Sequence, residues 1–124
     1  MGLLLNKVIP IELLNKNDGQ GRHWILTHRT RKQMEHDLRT LGLVRKPFDE
    51  PVNVIVTRIL GKGQKFWDSS SVLRGNYKQL EDALVACGWF HDDSYTHIRS
   101  TIGTQDGAHR SVGPATRIQV CTIE

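Results

Sequence analysis

Three carboxylates sit where the chain can gather them. Asp68 closes a glycine-containing segment, and Asp92 and Asp93 follow an amphipathic stretch that returns the chain towards its starting level. Grouped carboxylates are hard oxygen donors of the kind magnesium accepts, with water and substrate phosphate completing its shell. An ion held this way polarises a phosphate and lowers the pKa of an attacking water. Asp is also common in turns and at helix N-caps, so Asp92-Asp93-Ser94 as a turn and Asp68 as a cap stand beside the metal reading. Lys78 lies between the two acidic positions, where it can meet a phosphate or form an i,i+4 pair with Asp82. His91 adjoins Asp92, but His23, His28 and His36 have neither HExxH nor zinc-finger spacing, and no cysteine pair joins them. Gly61 and Gly63 mark a turn without a phosphate-loop pattern.

The elements that must position these groups can be read from periodicity. Lys7–Leu14 reads as a strand, demoted to an edge or a bulge by Pro10, followed by a polar loop over 15–21. A helix is expected from Thr27 or Thr30 to Leu41, ending at Gly42, with Met34, Leu38 and Leu41 on one face. Val52–Leu60 is rich in β-branched residues and is the clearest strand. Leu73, Tyr77, Leu80, Leu84 and Cys87 follow helical spacing, with Ser69, Ser70 and Ser71 as candidate caps and Gly88 as the stop. Tyr95–Ile102 and Thr116–Ile123 are two further strands, with 103–114 between them as a long hairpin loop. The order β-α-β-α-β-β implies one α+β domain over 1–124, a mixed β-sheet with two main helices packed on it.

Charge narrows the function classes. The net charge is +4, and it is uneven. Residues 22–46 carry seven Lys and Arg residues, Arg29, Arg31 and Lys32 among them, against Glu35 and Asp37, whereas 81–93 is purely acidic. A basic arm beside an acidic cluster suits a protein that grips phosphates and holds metal ions, although a basic helix face also serves simple solvation. Cys87 and Cys121 read as reduced, buried residues, not as a secreted disulfide framework. No apolar run reaches the ~20 residues of a membrane-spanning helix, so a cytoplasmic protein is expected.

The stretch from Trp67-Asp68-Ser69-Ser70-Ser71 through Asn76-Tyr77-Lys78-Gln79-Leu80-Glu81-Asp82-Ala83-Leu84, continuing as Gly88-Trp89-Phe90-His91-Asp92-Asp93-Ser94, resembles the signature of the RusA family of Holliday-junction resolvases. That signature runs Asp-x-Asp, a helix lysine, Asp-Ala-Leu, a glycine and Asp-Asp. The resemblance extends in outline to the Pro-containing first strand, the Asn-rich loop at Asn15–Asn17 and a closing strand pair. It implies a RusA-like fold and a homodimer, many family members coming from phages and prophages, that cuts four-way DNA junctions in the bacterial cytoplasm. Magnesium would be the cofactor, with manganese as a substitute. Carried over, Asp68 and Asp93 match metal carboxylates and Lys78 the helix lysine, with Asp92 and Ser70 supporting the ion. Arg29, Arg31, Lys32, Lys62, Lys65 and Arg74 would neutralise the DNA backbone. Ser70 stands where the second Asp of Asp-x-Asp belongs, and the gap to Lys78 is lengthened. The missing charge makes a branched-DNA-binding protein of the same fold with impaired catalysis the alternative.

Overall fold

A computed structural model describes residues 2–15 and 24–123, the side chains of residues 24–27 excepted. The elements are β1 (Leu3–Ile9), α1 (Trp24–Thr40), β2 (Val52–Ile59), α2 (Tyr77–Ala86), β3 (Ile98–Asp106) and β4 (Ala115–Cys121). The strands form one mixed sheet in the order β1-β4-β2-β3, and the protein is α+β, as expected. β4 is antiparallel to both β1 and β2, and β3 is parallel to β2. Inward positions of the two central strands, Val54, Val56, Ile118 and Val120, are fully buried and join Met34 and Leu38 of α1 and Leu80 and Leu84 of α2 in one core. Leu4, Val8 and Ile102 point from the strands into solvent, so the helices cover a single face.

Several expectations are corrected. β1 begins at Leu3 and stops at Ile9, because Pro10 has no N–H to continue the ladder. Ile11 and Leu13, expected within that strand, are buried as irregular chain, and the Ile11 carbonyl accepts from Thr116 Oγ1 at 2.7 Å. In α1, Met34 and Leu38 face the core as expected, but Leu41, beyond the last turn, is half exposed. No hairpin joins the last two strands: β4 inserts between β1 and β2, and β2 separates it from β3. The burial of the strands gives the reason. β4 has four of seven residues fully apolar and mostly buried, which suits a central position, whereas β3 carries Arg99, Ser100, Thr101, Thr104 and Gln105, which suits an edge. The loop expected over 15–21, beyond Asn15, lies outside the described residues, as do Arg22, His23 and the side chain of Trp24.

α2 is shorter than its periodicity suggested. Residues 69–75 form successive turns, with Ser71 N donating to Asp68 O and Arg74 N to Ser71 O, and the serines do not cap the helix. Gly75 lies so close to Leu14 that a Cβ would fall 1.5 Å from the Leu14 carbonyl oxygen. Asn76 then locks the helix entry to the chain after β1: Leu14 N donates to Asn76 Oδ1 at 2.8 Å, and Asn76 Nδ2 donates to Glu12 O at 3.2 Å. At the other end Gly88 takes φ +86°, the left-handed conformation of a helix stop. Trp89 and Phe90 plunge into the core directly after it, and Trp89 Nε1 donates to Leu43 O at 2.9 Å.

Candidate functional site

α2 and the segment that follows Phe90 meet at Lys78. Its ammonium donates to Asp93 Oδ2 and lies 3.3 Å from Glu81 Oε1 and 3.3 Å from Asp82 Oδ1. Glu81 and Asp82 are there because residues three and four apart share a helix face. Asp93 is there because the Gly88 stop and the buried Trp89-Phe90 pair reverse the chain beside the same helix. The expected Lys78–Asp82 pair therefore exists, but as one edge of a larger cluster.

The electrostatics of the cluster follow from this geometry. The hydrogen bond to Asp93 is the main cause that holds the Lys78 ammonium well above its ordinary pKa, with Asp82 and Glu81 adding to it. The same hydrogen bond from Lys78 pulls the Asp93 carboxyl below the usual carboxylate range. Glu81 moves the other way: burial pushes its pKa up, partly offset by Lys78, and the neighbouring Asp93 raises it further. Beneath them lies Tyr77. Its phenol is pushed up by burial and then by the charges of Glu81 and Asp93 beside it. The hydroxyl is fully buried and has no hydrogen-bond partner of good geometry among the described residues.

The other proposed metal donors lie in different surroundings. Asp92 accepts from Ser94 N at 2.8 Å, a turn contact, and its carboxyl is lowered chiefly by the hydrogen bonds from Ser94. Its Oδ2 is also 3.9 Å from His97 Nε2, and the His97 ring lies tilted at 46° to that of His91 with centroids 5.1 Å apart. Ser70 is engaged by Arg74, which donates from Nη2 to the hydroxyl and from Nε to the Ser70 carbonyl at 3.3 Å. The Asp68 carboxylate is exposed and has no hydrogen bond or ion pair among the described residues. Within those residues, no group of three or more His, Cys, Asp or Glu side chains is arranged to hold a metal ion. Magnesium commonly takes only one or two protein carboxylates, with waters and phosphates as its other ligands, so Asp68 and Asp93 remain chemically suitable donors.

The segment that carries Asp68 is pinned from below. Arg58, a nearly fully buried β2 residue, places its guanidinium 3.6 Å from the Trp67 ring centroid and donates to Lys65 O and to Gln105 Oε1. Gln105 also bonds the Trp67 backbone in both directions, at 2.9 and 3.0 Å. Arg110 Nη1 holds the same loop through the carbonyls of Gly61 and Gln64. Lys62 and Lys65 project from it into solvent. On α1, Arg29 is exposed, whereas Arg31 and Lys32 both lie near Glu35, at 3.8 and 3.6 Å.

Sequence reasoning noted Glu81 only as part of an acidic stretch, although its i+3 spacing from Lys78 was the signal for it. The Arg58–Trp67–Gln105 bracket left no such signal, because Arg58 and Gln105 are brought together by the parallel register of β2 and β3 and Trp67 joins them from the loop after β2. Among the described residues, no helix is long and apolar enough to cross a membrane. No protein-family model matches the chain, and no curated protein matches it.

Proposed function

We propose that this protein is a magnesium-dependent endodeoxyribonuclease of the RusA class that cuts Holliday junctions or related branched DNA, acting as a homodimer in the cytoplasm of a bacterial host. The observation that carries the reading is the meeting of Lys78 with Asp93, two charged groups of the quoted signature separated by fifteen residues, at a solvent-facing acidic cluster. Asp68 and Asp93 would hold the ion, with Asp92 and Ser70 in support. Magnesium, when bound, makes an attacking water more acidic and withdraws charge from the phosphate. Lys78 stays protonated at any working pH, so it offers a permanent positive charge to a phosphate oxygen. Asp93 stays ionised for the same electrostatic reason. Arg29, Arg31, Lys32, Lys62, Lys65 and Arg74 supply backbone neutralisation, which is independent of base sequence. A symmetric dimer presents two equivalent sites to the two-fold symmetry of a four-way junction.

The test is cleavage of a labelled synthetic four-way junction in magnesium and then in manganese. The wild-type protein is expected to nick it in symmetry-related strands, and Asp93→Asn to lose cleavage while retaining binding. A second reading, binding of branched DNA without cleavage, is favoured by Ser70, a neutral hydroxyl already engaged by Arg74. Tight junction binding with no cleavage in either metal would select that reading and remove the first.

A further inference from the structure

The edge strand β1 and the chain that follows α1 border a concavity of about 180 Å3, open to solvent and lined by Leu5, Lys7, Leu43, Val44, Arg45 and Trp89. Two cations and no carboxylate stand among these described lining residues, and none of the basic residues assigned above to the DNA backbone is there. Neither Lys7 nor Arg45 makes an ion pair among the described residues. Carboxylates are close along the chain: Asp49 and Glu50 follow Arg45 by four and five residues. They do not turn back to it, and instead line a separate concavity with Leu4, Phe48 and Val52. Arg45 lays its guanidinium over the Phe48 ring, 3.7 Å from the centroid, and its Nη1 is buried without a hydrogen-bond partner. Burial moves this guanidinium below its ordinary pKa, with no acidic neighbour to oppose the shift. A cation partly withdrawn from water and left without a counter-charge costs free energy that an arriving anion would offset.

We propose that this concavity is a phosphate-binding site, in which the Lys7 ammonium and the Arg45 guanidinium together hold one phosphate group against the apolar wall of Leu5, Leu43 and Trp89. The pair suits a dianion: Arg45 offers a planar fork that matches two phosphate oxygens, and Lys7 a point charge for a third. The room is enough for the phosphate group but below the ~300 Å3 at which sites begin to enclose a whole organic ligand, so the body that carries the phosphate leaves through the open side. The wall is built before the ion arrives. Trp89 Nε1 donates to Leu43 O at 2.9 Å, and Arg45 N donates to Cys87 O at 3.1 Å, so binding asks only for side-chain adjustment at Lys7 and Arg45. Two sources carry this chemistry, the terminal monoester of a nucleotide and the diester of a DNA strand. The site is argued from its own lining and does not rest on the nuclease reading.

The experiment titrates the isotope-labelled full-length protein with inorganic phosphate, against sodium chloride at matched ionic strength, and follows the Trp89 indole N–H and the amides of residues 43–45 by nuclear magnetic resonance. A saturable shift with phosphate and not with chloride is expected, with a Kd on the order of 1 mM. Lys7→Gln and Arg45→Gln are each expected to weaken binding by about fivefold, equivalent to roughly 1 kcal/mol. Lys46→Gln removes the same charge beside Arg45 from a residue that does not line the concavity, and is expected to leave the affinity unchanged. No shift specific to phosphate, undiminished affinity in a folded Lys7→Gln or Arg45→Gln, or an equal loss in Lys46→Gln overturns the site. If Arg45→Gln fails to fold by circular dichroism, Lys7→Gln, a change at an exposed residue, decides alone. Short single-stranded oligonucleotides with and without a 5′-phosphate then identify the source. A shift only with the 5′-phosphate assigns the monoester, equal shifts with both assign the diester backbone, and a shift with neither restricts the site to small phosphates. None of these outcomes depends on junction cleavage, so the site and the nuclease reading fail separately.

Discussion

Among the described glycines, Gly75 is the one at which an added Cβ would come nearest to another segment's backbone. Helix and loop propensities alone would make Gly75→Ala favourable, since replacing Gly by Ala at an unstrained position stabilises by about 0.4–1 kcal/mol. Here the new Cβ would fall 1.5 Å from the Leu14 oxygen and 2.5 Å from its carbonyl carbon, both backbone atoms that no rotamer change can move. Ordinary contact requires roughly 3.5 Å, so the two segments must separate by about 2 Å. Three hydrogen bonds cross that contact: Leu14 N to Asn76 Oδ1, Asn76 Nδ2 to Glu12 O, and Asn76 N to Leu14 O at 3.3 Å. At about 1 kcal/mol net for each, their loss costs about 3 kcal/mol, a large share of a typical 5–15 kcal/mol. With a urea m-value of about 1–3 kcal/mol/M, the denaturation midpoint should fall by roughly 1–3 M. Asn76→Ala, which removes only the two side-chain bonds, should fall between wild type and Gly75→Ala. A midpoint for Gly75→Ala equal to or above that of the wild type would refute the close packing of the 12–15 segment against the start of α2.

Other perturbations test separate parts of the molecule. Trp89→Phe should cost about 2–4 kcal/mol in urea unfolding, because it opens space at a side chain only 1% exposed and strands the Leu43 carbonyl. Asp106 is held below the usual carboxylate range, first by the hydrogen bond to His109, with the Ala108 N–H and Arg117 adding to it. A depressed folded pKa contributes stability that is present above the unfolded value of about 3.9 and lost as pH falls through the folded value. The midpoint of wild type should therefore drop more steeply between pH 5 and the acid limit than that of Asp106→Asn, and parallel curves would show that the contact carries no linkage. Replacing Arg29, Arg31 and Lys32 together by Ala should weaken junction binding about equally for all sequences and flatten the log–log salt slope by up to about 3. An unchanged slope would place the DNA on another surface.

The fold class was legible because binary patterns survive averaging. Val52–Ile59 and the Leu80, Leu84, Cys87 face bury the residues that their periodicities nominate. Topology was not legible, because pattern says which face is buried and nothing about which strand is its neighbour. The polar make-up of β3 and the apolar make-up of β4 held the information, but only a comparison of the two strands as edge and centre releases it. The early start assigned to α2 failed for a similar reason. Leu73 keeps helical phase with Tyr77 and is half-buried, yet the close approach of Leu14 at Gly75 decides where the helix begins. At the candidate site, Lys78 and Asp82 were legible from helical spacing, whereas the arrival of Asp93 depends on how Trp89 and Phe90 anchor the chain after the helix stop.

Magnitudes separate cause from consequence at this site. Ion pairs between exposed side chains contribute about 0–1 kcal/mol, and Lys78, with its side chain more than half in water, belongs to that class. The contacts that flank it are of a different order. Asn76 sits two residues before Lys78 and is bonded to Leu14 and Glu12. Gly88, whose Cβ would lie 2.1 Å from the Arg45 carbonyl oxygen, and the buried Trp89 and Phe90 fix the chain ahead of Asp93. The buried anchors therefore hold Lys78 and Asp93 in register, and the ion pair does little to hold the anchors. The cluster is thus a consequence of the packing around it and contributes little to stability itself. The same ordering makes the cluster replaceable in detail: Lys78→Met or Glu81→Gln should change what the surface binds far more than whether the chain folds.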